Sequence, residues 1–129
     1  LKLWSNRMIR LGLKQEPQWL ELLPGLNIKV RPFTTALFFA AQTSMLKADA
    51  GVAGESSDDL KDAMRGLAFI KGLARLAVME WDGVADQDGR AVLPTPDTID
   101  ALMDIWQVAA SFERLYARTV SETEQEKND

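Results

Sequence analysis

The sequence predicts a mostly α fold with three main helices, an N-terminal β-hairpin, and a small turn or hairpin between the second and third helices. Three observations support this. The chain has 129 residues, which suits one domain. Long stretches repeat apolar residues at the three- and four-residue spacing of a helix face. One short segment instead alternates polar and apolar residues beside a turn. We expect residues 1–120 to form a single helical domain and residues 121–129 to form a charged flexible tail.

The hairpin is predicted around the dipeptide Pro24-Gly25, because Pro presets φ for a turn and Gly accepts a positive φ. The apolar run at residues 19–23 precedes this turn, and residues 27–31 follow it with strict polar–apolar alternation. Pro32 ends the hairpin, since proline cannot donate to a sheet. A lone hairpin is marginally stable, so it must pack on other elements. Residues 1–18 give no clear pattern.

The first two helices follow from their caps and their spacing. Thr34 or Thr35 is a suitable N-cap for a helix running to about Ala50. Ser56 and Ser57, followed by two acidic residues, start a second helix that is predicted to reach about Trp81. Its apolar residues keep the rhythm of one face: Leu60, Ala63, Leu67, Ile70, Ala74, Ala77 and Trp81. Gly66 and Gly72 lower the helix propensity, which suggests close backbone packing at both.

The segment after the second helix contains Asp-Gln-Asp-Gly at residues 86–89, which predicts a turn or a second small hairpin. Thr95, Pro96 and Asp97 then form a helix start, with a cap, a proline in the first turn and an acidic residue. The third helix is expected over residues 96–120.

Composition excludes several classes of chemistry. The chain has no cysteine and no histidine, so disulfides, thiolate nucleophiles and imidazole-based catalysis are ruled out. No Gly-x-Ser-x-Gly elbow and no phosphate-binding glycine loop is present. The longest apolar run, residues 36–41, is too short to span a bilayer, and no secretory signal is recognisable. We therefore expect a cytoplasmic, non-enzymatic binding protein without a cofactor or a membrane contact.

The acidic residues offer two candidate sites, and both have a simpler interpretation. Asp86 and Asp88 resemble part of a calcium-binding loop, but Val84 and Thr95 stand where its first and last ligands belong. A solvated turn is the expected structure there. Asp100 and Asp104 lie one turn apart on the polar line of an exposed helix, with no apolar wall to raise a pKa. Neither pair is expected to be catalytic or to bind a metal.

Net charge is −4, yet residues 1–32 carry +4 and the rest carries −8. An acidic body disfavours DNA binding, which depends on neutralising phosphates. The apolar content, in contrast, exceeds what three helices and a hairpin easily cover. Such a surplus implies a groove, a dimer or a partner helix, unless the first segment covers it.

Two segments resemble a known family. Residues 19–41 (WLELLPGLNIKVRPFTTALFFAA) are similar to the opening of small tail assembly chaperones of long-tailed phages, prophages and gene transfer agents. Residues 78–94 (VMEWDGVADQDGRAVLP) are similar to the segment between the central and C-terminal helices of that family. The matching positions there are Trp81, Gly83, Val84, Asp86, Gly89 and Pro94.

This resemblance implies an assembly factor that binds the long tape-measure protein, helps to recruit tail-tube subunits, and is absent from the finished particle. On this reading a stripe on the second helix and the loop after it would bind the protein partner. The expected partner-binding residues are Phe69, Leu73, Leu76, Trp81, Asp82, Gly83, Asp86 and Asp88. A homo-oligomer is possible. The alternatives are a structural or adaptor subunit of a virion or other assembly, a small nucleic-acid-binding regulator, and a calcium-binding module.

Overall fold

A computed structural model describes residues 8, 15–51 and 58–117, and these residues form an α+β fold. The chain order is β1 (Gln18–Leu23), β2 (Leu26–Val30), α1 (Thr35–Gly51), α2 (Asp58–Ala77), β3 (Val78–Asp82), α3 (Pro96–Met103), α4 (Trp106–Phe112) and a π-helical turn (Glu113–Ala117). The predicted class, three helices with a hairpin, is therefore wrong. The described residues contain four α-helices and a three-stranded antiparallel sheet. The tail predicted at residues 121–129 lies outside them.

The predicted hairpin is confirmed, and its second strand is the centre of the sheet. The strand order is β1-β2-β3, with both pairings antiparallel. Leu26, Ile28 and Val30 are buried, whereas the two residues between them are only half buried. This alternation is what one covered face of a sheet produces. Gly25 has a φ of +84°, as the turn between β1 and β2 requires.

The second helix ends four residues before its predicted end. Its last carbonyl, that of Ala77, accepts from the backbone N–H of Arg31 at 2.9 Å, and Arg31 Nε donates to the carbonyl of Leu76 at 3.1 Å. Residues 78–82 then pair with the open edge of β2 as strand β3. The helical rhythm through Trp81 misled the prediction, because strand formation depends on a neighbour that is distant in sequence.

Gly83 fixes the end of β3 against the hairpin turn. Its φ is +92°, and a Cβ at this position would collide with the carbonyl oxygen of Gly25. Only glycine combines this conformation with so close an approach. The end of strand β3 and the turn between β1 and β2 are thus held together backbone to backbone.

The third predicted helix is broken in two. Thr95 caps α3 with a complete capping box, which confirms the predicted helix start. Ile105 then adopts an extended conformation, with φ −81° and ψ 113°, and separates α3 from α4. The apolar–polar spacing continues across this break and gave no sign of it. The π-helical turn follows α4, and residues 118–120 lie outside the described part.

The core lies between the inner face of the sheet, the C-terminal half of α2, and α3, α4 and the π-helical turn. Its most deeply buried large side chains are Ile28, Leu73, Met103, Val108 and Phe112. Tyr116 closes one end, donating its hydroxyl hydrogen to the carbonyl of Arg31 at 2.7 Å. Among the described helices, none has both the length and the apolarity that crossing a membrane requires.

Candidate protein-binding surface

The outer side of α1 is an exposed surface made of uncharged side chains. We call it the α1 surface, and it consists of Ala36, Phe39, Ala40, Thr43 and Leu46. Phe39 is 60% exposed and Leu46 is 64% exposed. Phe39, Thr43 and Leu46 follow the spacing i, i+4 and i+7, so they lie on one side of the helix. No charged residue occurs between Thr35 and Leu46.

This exposure is unusual for a helix of such composition. Apolar side chains occur all round α1, and helices of that kind are normally buried. Among residues 35–48, however, only Ala41 is buried. A contiguous exposed apolar surface on a protein commonly marks an interaction site. The α1 surface is therefore the first candidate for contact with another polypeptide.

Aromatic contacts hold the N-terminal end of this surface in place. The ring of Phe38 lies 6.1 Å from that of Phe39, 6.5 Å from that of Phe33 and 5.7 Å from that of Phe69. The last pair meets edge to face, which the ring quadrupoles favour. Phe33 in turn lies 5.3 Å from the ring of Tyr116. Phe39 thus projects from an ordered aromatic group connected to the core.

An apolar cleft of about 330 Å³ opens between α1, α2 and the π-helical turn. Met45, Phe69, Ile70 and Ala117 supply its apolar lining, and Glu113 is its charged lining residue. Met45 precedes Leu46 of the α1 surface. A helical segment lying on α1 could place an apolar side chain in this apolar cleft, in the manner of helix-in-groove recognition.

Gly66 also lines the apolar cleft, and nothing in the described chain accounts for a glycine there. A Cβ at this position would meet no atom within 4 Å, in contrast to Gly72, where it would collide with the side chain of Ser44. The prediction of close packing is therefore confirmed for Gly72 and wrong for Gly66. A glycine in a helix interior costs about 1 kcal/mol relative to alanine. The open space at Gly66 leaves room for a partner backbone to approach.

The predicted stripe on the second helix is not a single surface. Leu73 is fully buried in the core, and Leu76 is 41% exposed near the C-terminal end of α2. Phe69 alone of the three lines the apolar cleft. Residues three and four apart share a helix face, but α2 is covered on different sides along its length.

The loop after β3 places its predicted residues in structural contacts. Trp81 is half buried, and its Nε1–H donates to the carbonyl of Val92 at 2.6 Å. Gly83 packs against Gly25, as described above. Asp82 is exposed at the end of β3, opposite Asn27.

Asp86 and Asp88 belong to the turn that the sequence predicted. A carboxylate oxygen of Asp86 accepts from the backbone N–H groups of Asp88 and Arg90, at 2.9 and 3.0 Å. A single bridge between Ala85 and Ala91 gives the turn its hairpin form. Across the described residues, no group of three or more acidic side chains is placed to hold a metal ion.

Two carboxylates of the polar line on the third predicted helix pair with cations of α2. Arg75 donates from Nε and from a terminal nitrogen to the two carboxylate oxygens of Asp100, at 2.6 and 2.7 Å. Lys71 Nζ lies 2.7 Å from a carboxylate oxygen of Asp104. The hydrogen bonds that Arg75 donates to Asp100 raise the pKa of Arg75, while burial acts in the opposite direction. Asp104 is exposed, as the sequence predicted, whereas Asp100 is partly buried in its pair with Arg75.

Sequence reasoning missed the α1 surface, although its signal was present. The sequence predicted a surplus of apolar surface but did not assign it to the uncharged run that begins α1. Its apolar residues occupy every side of the helix, which predicts a helix covered all round. The elements that the structure describes leave its outer side exposed. Comparisons with protein-family models, with curated proteins and with solved structures found no match.

Proposed function

We propose that this chain is a non-enzymatic tail assembly chaperone that binds an apolar side of a long helical, tape-measure-like partner through the α1 surface. The observation that supports this most is the uncharged part of α1, which is exposed and has Phe39 and Leu46 outermost. The similarity of residues 19–41 and 78–94 to that family supports the particular role. A chaperone of this kind covers apolar helical segments of its client before the client assembles.

The α1 surface suits this task in three ways. It lacks charges that would have to be desolvated when a helix docks. Its aromatic residue, Phe39, supplies a large contact area at a small cost in conformational entropy. The apolar cleft beside it, next to Gly66, offers a position for one anchoring side chain of the client helix.

The proposal predicts that a neighbouring gene encodes a long helical protein, and the test is co-expression of this chain with that protein. Unaltered chain is expected to raise the solubility of that protein and to elute with it. Phe39→Asp and Leu46→Asp should abolish both effects, because each buries a carboxylate in an apolar contact. Leu93→Asp is the matched control, since Leu93 is 80% exposed and lies outside the α1 surface.

Unchanged solubility with no complex would contradict the proposal. Full activity of the Phe39→Asp variant would show that the client binds elsewhere. Detection of the chain in finished particles would instead indicate a structural subunit.

A further inference from the structure

Two apolar parts of this chain are exposed in the same structure. One is the α1 surface, where Phe39 and Leu46 are outermost. The other precedes the sheet, since Met8, the described residue of the segment 1–14, is 64% exposed. Half of the residues in that segment are large and apolar: Leu1, Leu3, Trp4, Met8, Ile9, Leu11 and Leu13. Removing both apolar parts from water at once would stabilise the chain.

The segment 1–14 joins the described fold beside the α1 surface. Gln15 and Glu16, which follow it directly, line a pocket together with Phe33. The ring of Phe33 lies 6.5 Å from that of Phe38, and the ring of Phe38 lies 6.1 Å from that of Phe39. The segment therefore starts next to the aromatic residues that hold the N-terminal end of the α1 surface.

The segment is also long enough to cover this surface. From Ala36 to Leu46 the α1 surface measures about 15 Å, at the rise of a helix. Fourteen extended residues span up to about 46–50 Å. A chain that leaves Gln15 can thus pass Phe39 and continue beyond Leu46.

We infer that residues 1–14 fold back over the α1 surface of the same chain and cover Phe39 and Leu46 in the free protein. The tether selects this occupant over a second copy, because a short linker gives a local concentration in the millimolar range. Charge acts in the same direction, since residues 1–14 carry +4 and the rest of the chain carries −8.

The described arrangement, with Met8 and Phe39 both exposed, is the uncovered state of this equilibrium. The cover belongs to the free chain and does not depend on the proposed function. A client bound to the α1 surface would have to displace the segment, a consequence that rests on the proposed function.

Photocrosslinking within purified chain, without a client, tests the cover. A photoreactive phenylalanine at position 39 should crosslink to residues 1–14 of the same molecule, and mass spectrometry of the monomer maps the linked peptides. The yield should not change with protein concentration, because the contact is intramolecular. The same probe at position 93 is the control and should give no such product, since Leu93 is 80% exposed and lies outside the α1 surface.

A pair of double variants tests the apolar contact itself. Trp4→Asp with Met8→Asp should lower the yield from position 39 at least about tenfold, because carboxylates would enter an apolar contact. Ser5→Asp with Asn6→Asp changes the charge equally but keeps every apolar side chain, so the yield should stay close to that of unaltered chain. Circular dichroism checks that both variants are folded.

Three results would overturn the inference: no crosslink from position 39 to residues 1–14, equal yields from positions 39 and 93, or an undiminished yield in the variant at positions 4 and 8. Crosslinked dimers in place of the intramolecular product would also overturn it, since a second copy would then cover α1. None of these results involves the client, so failure of the cover is distinguishable from failure of the proposed function.

Discussion

Gly83 lies so close to the carbonyl oxygen of Gly25 that no side-chain atom fits between the end of β3 and the hairpin turn. Two glycines distant in sequence thereby join the third strand to the first two. Gly89 has a similarly positive φ of +79°, but a Cβ there would meet nothing within 4 Å. The two positions therefore separate the cost of backbone conformation from the cost of a collision.

We predict that Gly83→Ala lowers the free energy of unfolding by about 2–4 kcal/mol, because a disfavoured φ and overpacking act together. Gly89→Ala should lower it by only about 1 kcal/mol, the conformational cost alone. Urea denaturation of both variants measures the difference. Equal losses at the two positions would show that the Gly83–Gly25 approach does not constrain the fold.

The burial of Tyr116 predicts how the stability of the fold depends on pH. Burial raises its pKa to about 12, while the charge of Arg31 acts in the opposite direction. In the unfolded chain the phenol has its ordinary value of 10.0. The folded state thus prefers the neutral phenol, and its contribution to stability is complete below pH 10 and is lost as the pH rises towards 12.

Tyr116 is the only tyrosine in the chain, so an ultraviolet titration of the phenolate reports on this residue alone. The midpoint in the folded protein is expected near pH 12, and in denaturant near 10. Tyr116→Phe should remove the loss of stability over this pH interval. It should also cost about 1 kcal/mol at neutral pH through the missing hydrogen bond to Arg31. A folded-state midpoint near 10 would mean that the hydroxyl is not buried.

Leu73 and Leu76 test whether the predicted stripe on α2 is one surface. Leu73 is fully buried and Leu76 is 41% exposed. Leu73→Ala is expected to lower the free energy of unfolding by about 2–5 kcal/mol, through lost burial and a cavity. Leu76→Ala should lower it by less than about 1 kcal/mol. Thermal or urea unfolding compares the two variants. Similar losses in the free energy of unfolding would show that Leu73 and Leu76 lie on one equally covered face of α2.

Local pattern was enough to predict the elements that depend on near neighbours. The turn at Gly25, the start of α1 at Thr35 and the cap at Thr95 are each specified within a few residues. The sequence even indicated that the hairpin needed support, but not that β3 supplies it.

The sequence did not predict the features that depend on contacts between residues far apart along the chain. Strand β3 exists because β2 has an open edge, and α2 ends where Arg31 binds its last carbonyls. Asp100 and Asp104 meet cations that lie 25 and 33 residues earlier in the chain. The sequence did not predict the α1 surface for the same reason, because the exposure of Phe39 depends on which other elements pack against α1.

Photocrosslinking tests the central claim most directly. A photoreactive phenylalanine is placed at position 39, at 81 and, as a control, at 93, in chain co-expressed with the long helical protein that the proposed function predicts in a neighbouring gene. We predict a crosslink to that protein from position 39 and none from 81 or 93. A crosslink from position 81 without one from 39 would contradict the account, since the client would then bind at the loop after β3 and not on α1.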